Sequence, residues 1–249
     1  MSSNHSCCVF GDAAKQNAVE VACSECGLDP MCVVLDYAEA DSGVPEGILL
    51  RRQQVEAGQT LFESGQHFDA IYAVKSGSFK ALMLDPQTGE RVVGFYFAGE
   101  LVGAEGMADQ RYDVSVRALE VSQVCVLHLD RLDEASRPQQ AIQRALIDML
   151  SREVALNQRM TAALVRQNAD QRLAAFLLSL SERLSSRGFA SDEFNLRMSR
   201  SDIGSYLGLA RETVSRLLTR FQKQGLIRLR GRQLQLQDVA SLRLVAYSD

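Results

Sequence analysis

The spacing of hydrophobic and polar positions changes twice along the chain. From about residue 48 to 130, short apolar runs such as AIYAV, FKALML and VCVLHL are separated by glycine-containing turns. Short strands that recur about every 8 to 12 residues are typical of an antiparallel barrel or roll. The pattern predicts a β-roll over residues 46–135, which follows an irregular leader over residues 1–45.

The hydrophobic period lengthens after Pro138, where AIQRALIDMLSREVALNQRMTAALVRQ contains neither glycine nor proline. This pattern predicts a long helix over residues 136–166. A helix of this length usually has a partner, and one of its faces alternates steps of three and four residues, as in a short coiled coil. We expect this face to pair with a second copy of the chain, although packing within one subunit stays open. The face comprises Ile147, Leu150, Val154, Asn157, Thr161 and Leu164.

A helix-turn-helix pattern follows, within a predicted domain over residues 167–249. In SRSDIGSYLGLARETVSRLLTRFQKQGLIRLRGRQLQL, Ser199 caps a first helix and Gly208 permits the turn into a second. Gly225 ends that second helix, and two β-like runs around Gly231 predict a wing. The fold class is therefore α+β: an N-terminal β-roll, a long dimerisation helix and a C-terminal winged helix-turn-helix.

Three side chains on the predicted second helix have chemistry suited to reading base pairs. Glu212, Ser215 and Arg216 stand at i, i+3 and i+4, so they share one face of the helix. Arginine matches the O6 and N7 acceptors of guanine, and glutamate accepts from the amino group of cytosine. A plain Glu212–Arg216 ion pair on a solvated face is the alternative. The cations expected to contact phosphates are Arg200, Arg211, Arg220 and Lys223.

The charge distribution supports this interpretation. The formal net charge of the chain is −4. Residues 197–232 contain nine Arg or Lys and two acids, so their net charge is +7 and that of the remaining residues is −11. A basic module on an acidic body is typical of a DNA-binding domain. The sequence has neither an apolar run near the roughly 18 residues of a membrane span nor a secretion signal, so we expect a cytoplasmic protein.

The cysteines indicate a second kind of chemistry. The segment CSECGLDPMC has three cysteines in a C-x2-C-x5-C spacing, and a fourth ligand is missing locally. In a reducing cytosol, clustered cysteines are better explained as metal or redox ligands than as disulfides. Zinc and iron–sulfur clusters both accept four thiolates, so the spacing leaves both open.

Taken together, these motifs resemble the FNR branch, the fumarate and nitrate reductase regulators, of the cyclic AMP receptor protein superfamily. The resemblance covers the cysteine-bearing leader, FAGELVG at 97–103, NADQRLAAFLLSLSERL at 168–184 and RETVSRLLTRFQKQGLI. It implies a homodimeric transcription regulator that binds double-stranded DNA at a two-fold symmetric site. The implied half-site is similar to TTGAT, and Glu212, Ser215 and Arg216 resemble the family's base-contacting E-x-x-S-R set.

The resemblance also implies an oxygen-responsive [4Fe-4S] cluster and further partners. It assigns no role to Cys7 or Cys8, and it makes the loop LDPQTGERV a contact for RNA polymerase, with Thr88, Gly89 and Glu90 nearest its tip. Oxygen-sensing relatives commonly carry an aspartate where this chain has Asn157, so we expect a weaker dependence on oxygen. The implied cluster ligands are Cys23, Cys26, Cys32 and Cys125.

Three alternatives stay open at the level of sequence. A cyclic-nucleotide pocket would resemble G-E-L-x-G followed by Arg-Ser, but the Arg-Ser positions are Tyr112 and Asp113, and an acid repels a phosphate. A zinc-stapled, oxygen-insensitive regulator is a second alternative. An iron–sulfur redox enzyme is the third, although the sequence shows neither a nucleotide-binding glycine loop nor a catalytic triad. We therefore expect a regulator and not an enzyme.

Overall fold

The computed structural model describes residues 51–87, 89–128, individual helical positions between 144 and 161, 168–187 and 189–247. The chain folds into two compact units. The first unit takes its described residues from 1–83 and 95–152, and the second from 84–94 and 153–249. The fold class predicted from the sequence is confirmed, with β-sheets in the N-terminal part and a helix-turn-helix in the C-terminal part.

The N-terminal part contains two four-stranded sheets. The paired strands run antiparallel, as a roll requires. A short 3-10 helix, Ala104–Met107, follows the first sheet's edge strand. In spatial order, the first sheet consists of β1 (Arg51–Val55), β8 (Ser122–His128), β3 (Ala70–Ser76) and β6 (Leu101–Val102). The second consists of β2 (Thr60–Phe62), β7 (Ser115–Ala118), β4 (Ser78–Asp85) and β5 (Gly89–Phe97).

Aromatic side chains fill the space between the two sheets. Phe62 of β2 stacks on Tyr72 of β3, with ring centroids 5.5 Å apart, and on Tyr112, with centroids 3.9 Å apart. Phe68 meets Tyr112 edge-on at 5.5 Å. Burying a large side chain of this kind contributes about 1.5–3 kcal/mol, so these rings are a main source of the roll's stability.

The region predicted as the long helix is helical at every position that the structure describes between residues 144 and 161. Two of the predicted seam residues, Ile147 and Val154, are 62% and 55% exposed. Within the described residues, no helix is both long and apolar enough to cross a membrane.

The second unit is built around one buried helix. This helix, α1 (Ala169–Ser185), begins at a capping box in which Asn168 accepts from the Gln171 N–H and Gln171 accepts from the Asn168 N–H. It buries Leu173, Leu177 and Leu180, and it packs along the C-terminal helix. The other elements of the unit are α2 (Arg200–Leu207), α3 (Arg211–Lys223), α4 (Val239–Tyr247) and a sheet in the order β10 (Ile227–Arg230), β11 (Gln233–Leu236), β9 (Glu193–Asn195).

Candidate functional site

The first helix of the helix-turn-helix begins where the sequence predicts, at Ser199. The Ser199 Oγ accepts a hydrogen bond from the Asp202 N–H at 3.0 Å and donates one to Asp202 Oδ2 at 2.6 Å. Asp202 Oδ2 also accepts from the Ser199 N–H at 2.9 Å. This reciprocal box satisfies two backbone donors and places an acid at the positive end of the helix dipole. It fixes the residue at which α2 starts.

Two glycines shape the turn between α2 and α3. Gly208 ends α2 with φ of 65°, a conformation that favours glycine, and its N–H donates to the Gly204 carbonyl. The Leu209 N–H donates to the same carbonyl at 2.8 Å. A Cβ on Gly204 would stand 2.5 Å from the Leu209 carbonyl oxygen, so the chain approaches too closely for any side chain there. Gly208 was predicted from the sequence but Gly204 was not, although a glycine inside a helical pattern could have signalled it.

The second helix, α3, separates its faces as predicted. Val214, Leu217, Leu218 and Phe221 are buried. All three predicted base-reading residues, Glu212, Ser215 and Arg216, are exposed. Neither Glu212 nor Arg216 takes part in a salt bridge with any described residue, so the helix surface leaves both side chains available to a ligand.

The four predicted phosphate contacts differ in their surroundings. Arg211 and Lys223 are exposed at the two ends of α3. Arg200 is half-buried at the start of α2, and this burial lowers the pKa of its guanidinium from its ordinary value. Arg220 forms a salt bridge with Asp170 in the first turn of α1. Arg220 therefore differs from the other three in having a carboxylate partner among the described residues.

The wing adds basic residues beyond those predicted from the sequence. Strands β10 and β11 pair in register from Ile227 opposite Leu236 to Arg230 opposite Gln233. Ile227 is buried, whereas Arg228, Arg230 and the turn residue Arg232 are exposed. The alternation in IRLR is the sequence signal that predicts this outward row of arginines.

Cys125, the cysteine among the described residues, lies on the outer face of the first sheet. It stands opposite Arg52 of β1 and Ala73 of β3. Residues directly opposite each other share a face, and neighbours along a strand alternate. Because Tyr72 points to Phe62 in the second sheet, Ala73 and Cys125 point away from that sheet. Cys125 is nevertheless only 7% exposed.

Several predicted site residues lie outside the described residues. These are Cys23, Cys26, Cys32, Thr88, Asn157 and Leu164; Cys7 and Cys8, to which no role is assigned, lie outside them as well. Among the described residues, no group of three or more His, Cys, Asp or Glu stands close enough to hold a metal ion. Of the predicted polymerase loop, Gly89 has φ of 81° at the β4–β5 turn, and Glu90 beside it is exposed. Of the predicted seam, Thr161 is exposed and Leu150 is half-exposed.

The β4–β5 hairpin also contacts the helix-turn-helix. The Val92 N–H donates to the Ser205 Oγ of α2 at 2.9 Å, within the second unit. Val92 itself is buried. A hydrogen bond between residues 113 positions apart could not be inferred from either local pattern.

Tyr112 and Asp113, which stand at the sequence positions expected for the Arg and Ser of a cyclic-nucleotide pocket, are held by neighbouring residues of the roll. Tyr112 is 1% exposed, and its hydroxyl lies 2.7 Å from the Ala70 carbonyl oxygen and 2.9 Å from Asp69 Oδ1. Gly103 faces the Tyr112 and Phe62 rings, where a Cβ would stand 3.0 Å from the nearer one. Near this stack, burial and the neighbouring Asp113 raise the pKa of Glu105.

Comparison with known proteins agrees with this architecture. Residues 171–245 match the Crp-like helix-turn-helix domain, and residues 52–137 match the cyclic nucleotide-binding domain. The chain is 40% identical to the transcriptional activator protein anr of Pseudomonas aeruginosa over 220 residues, which cover 88% of this chain and 90% of that protein.

Two further matches extend the comparison. The chain is 35% identical to the fumarate and nitrate reduction regulatory protein of Escherichia coli over 226 residues, 91% of this chain and 90% of that one. The solved structure of FixK2 from Bradyrhizobium japonicum superimposes with a TM-score of 0.71 at 25% identity, covering 80% of this chain and 98% of that one. On these matches, the chain belongs to the FNR branch of the cyclic AMP receptor protein superfamily, a family of DNA-binding transcription regulators and not of enzymes.

Proposed function

We propose that this regulator is a cytoplasmic homodimer controlled by a [4Fe-4S] cluster, and that it binds a two-fold symmetric, TTGAT-like operator when the cluster is intact. The observation that carries the proposal is the position of Cys125. It is a buried thiol on the outer face of the roll, where a leader that carries three cysteines can reach it without entering the core.

The donor chemistry fits such a cluster. Cys23, Cys26, Cys32 and Cys125 would supply four thiolates, the usual ligand set of a [4Fe-4S] cluster. Arg52, directly opposite Cys125 on β1, adds a cationic residue to the same face of the sheet. The cluster, when bound, would supply an oxygen-labile link between the leader and the roll.

The exposed seam of the long helix supports dimerisation. Ile147 and Val154 are seven residues apart, so they lie two helical turns apart on one face. Apolar side chains exposed in such a row are typical of a protein–protein interface. If the dimer is symmetric, the two half-sites that it binds should lie about 34 Å apart along the duplex, which is one helical turn.

In the bound complex, we assign different tasks to the exposed residues of the second unit. Arg216, Glu212 and Ser215 read base edges from one face of α3. Arg200, Arg211 and Lys223 contact phosphates, and the exposed wing arginines Arg228, Arg230 and Arg232 add to this basic surface. Replacing Arg216 by alanine should relax discrimination at one base pair by about 1–3 kcal/mol.

Two further features concern the activation of transcription and the dependence of dimerisation on oxygen. We assign the loop with Thr88, Gly89 and Glu90 to the contact with RNA polymerase, because its turn presents an exposed acid. Asn157 removes a pair of facing charges from the dimer seam, so dimers should persist partly after exposure to air. Sedimentation that shows only monomers in air would contradict this expectation, and Asn157→Asp should increase the dependence on oxygen.

The cluster is tested with protein purified without oxygen. We expect iron and acid-labile sulfide in equal amounts, about four of each per chain. Single serine replacements of Cys23, Cys26, Cys32 and Cys125 should each lose this iron and weaken binding to a TTGAT-like duplex more than about tenfold. Cys7→Ser and Cys8→Ser are matched controls that should keep both the iron and the affinity for the duplex.

The two alternatives within the same family of regulators each give a distinct result in the same experiment. Zinc in place of iron, with DNA binding unchanged by air, would establish the zinc-stapled regulator. Binding to the duplex only after addition of a cyclic nucleotide would establish nucleotide control. Full DNA binding by all four serine variants would refute the cluster proposal.

A further inference from the structure

The first turn of α1 holds both helices of the helix-turn-helix. Arg172 Nη1 donates to the carbonyl oxygen of Leu207, the last residue of α2, at 2.9 Å. Asp170, two residues earlier, forms the salt bridge with Arg220 of α3. One short stretch of chain therefore contacts the end of the first helix and the flank of the second.

This stretch stands at the junction with the predicted dimerisation helix. Asn168 has an extended backbone conformation, with φ of −73° and ψ of 175°, and its capping box starts α1 afresh. The predicted dimerisation helix ends at residue 166. Asp170 and Arg172 therefore contact α3 and α2 from the first turn of the helix that follows this junction.

Arg220 already has a carboxylate partner on the flank of α3. It lies eight residues after Glu212, about 80° round the helix at roughly 100° per residue, and on that side it pairs with Asp170. The Arg220 side chain is 48% exposed and that of Asp170 is 37% exposed. A pair this exposed adds little to the stability of the fold. The pair joins the flank of α3 to the first turn of α1.

The presence of Asp170 supports a positioning role. A carboxylate beside a DNA-binding helix repels phosphates and weakens association. An acid at this position therefore indicates a role other than DNA contact. Asp170 also lies in the first turn of α1, where an acid interacts favourably with the helix dipole. A dipole role alone would make Asp170 important but leave Arg220 available for DNA.

We propose that Asp170 and Arg220, together with Arg172, form a clamp that sets the orientation of α3 relative to the junction. In this clamp Arg220 is a positioning residue and not a phosphate contact. The inference rests on the proposed operator binding, because orientation is measured through it.

The test uses the full chain purified without oxygen and a duplex with two inverted TTGAT half-sites. The variants are Asp170→Asn, Arg220→Gln and the exchanged pair D170R/R220D. Specific and non-specific Kd values are measured by fluorescence anisotropy across a range of salt concentrations, and the active fraction by stoichiometric titration. Lys223→Gln is the control for a true phosphate contact. Glu182→Gln is the control for an exposed ion pair, because Glu182 pairs with Arg243 of α4 at 3.8 Å, with both side chains 59% exposed.

The clamp predicts an effect of unexpected sign. Asp170→Asn removes a negative charge, yet it should weaken specific binding about fivefold, as should Arg220→Gln, with little change in non-specific binding. The exchanged pair should recover to within about twofold of the original chain. The salt slope of log K should be unchanged in Arg220→Gln but smaller by about 0.9 in Lys223→Gln. Glu182→Gln should bind normally.

The opposite results would overturn the clamp. Tighter or unchanged binding by Asp170→Asn, together with a smaller salt slope in Arg220→Gln, would make Arg220 a phosphate contact. Failure of the exchanged pair to recover, when its thermal unfolding matches that of the original chain, would also overturn it. If the original chain shows no preference for the TTGAT duplex, the proposed operator and the clamp fall together. A chain that prefers the duplex while its clamp variants bind normally would lose only the clamp.

Discussion

Tyr112 lies against Phe62 with the two ring centroids 3.9 Å apart and the ring planes 18° from parallel. Tyr112 and Asp113 stand at the sequence positions where a cyclic-nucleotide pocket would need an arginine and a serine. Both rings of the stack are almost completely buried, and neither side chain supplies the cation that a cyclic phosphate requires.

We therefore predict that cyclic AMP leaves the protein unchanged. A ligand at 100 times its Kd stabilises the folded state by about 2.7 kcal/mol, enough to raise Tm by several degrees. Cyclic AMP added at about 100 times a micromolar Kd should give no measurable change in Tm by calorimetry. A saturable rise in Tm would contradict the prediction and would mean that the stack opens.

The Tyr112 hydroxyl gives a matched test of the same stack. Tyr112→Phe keeps the ring but leaves the Ala70 N–H and carbonyl, both buried, without the hydroxyl that they contact at 3.3 and 2.7 Å. We expect a loss of about 1–3 kcal/mol in the free energy of unfolding of the roll, measured with denaturant. Tyr247→Phe, at an exposed tyrosine of α4, should have no such effect.

Glu105 should make the roll less stable as the pH rises. Burial, and to a lesser extent Asp113, raise the pKa of its carboxyl above the ordinary value of 4.5, and among the described residues its Oε1 accepts no hydrogen bond. A raised pKa means that the folded state binds the proton more tightly than the unfolded state. The contribution of Glu105 to stability is therefore largest below pH 4.5 and is lost as the pH rises through the folded-state pKa.

Glu105→Gln should remove this dependence. The difference in unfolding free energy between the variant and the original chain should grow in favour of the variant from about pH 4.5 upward, and then level off. Chemical denaturation at several pH values measures it. Asp109→Asn, at an exposed acid nearby in sequence, should run parallel to the original chain. A difference that does not change with pH would show that Glu105 titrates normally.

Local patterns predicted the elements of this fold but not the contacts between them. The Ser199 cap and the turn at Gly208 are specified by neighbouring positions, and the structure contains both as predicted. The fold class and the identification of the family are confirmed. The sequence places Cys125 in an apolar run, but which face of the sheet it occupies follows only from its pairing with Ala73.

Contacts between distant elements left no signal in the sequence. Asp170 and Arg220 are 50 positions apart, and their meeting depends on the angle at which α3 packs on α1. A basic residue on a DNA-reading helix predicts a phosphate contact, and no local pattern points from Arg220 to Asp170. The capping box at Asn168 and Gln171 was visible in the sequence and predicts where α1 begins, but no local rule names the partner of its first acid.

Ser199 should control both the stability of the helix-turn-helix and its affinity for DNA. Ser199→Ala removes the hydroxyl that accepts the Asp202 N–H, and loss of such a cap costs about 1 kcal/mol. The unfolding midpoint should fall accordingly, and the affinity for the operator should fall with it because α2 supports α3. Ser201→Ala, at an exposed position two residues later, is the matched control. An unchanged midpoint in Ser199→Ala would show that the box does not hold α2.

Val154 should decide whether two chains pair. Its side chain is 55% exposed, so replacing it by glutamate should leave the subunit folded while burying a charge at each side of the dimer seam. We expect Val154→Glu to sediment as a monomer without oxygen and to bind the two-half-site duplex more than about tenfold more weakly, because one subunit holds one half-site. Ala155→Glu adds the same charge at the next exposed position, about 100° round the helix, and should remain dimeric. Dimers of both variants would place the subunit interface elsewhere, whereas monomers of both would mean that added charge alone separates the chains.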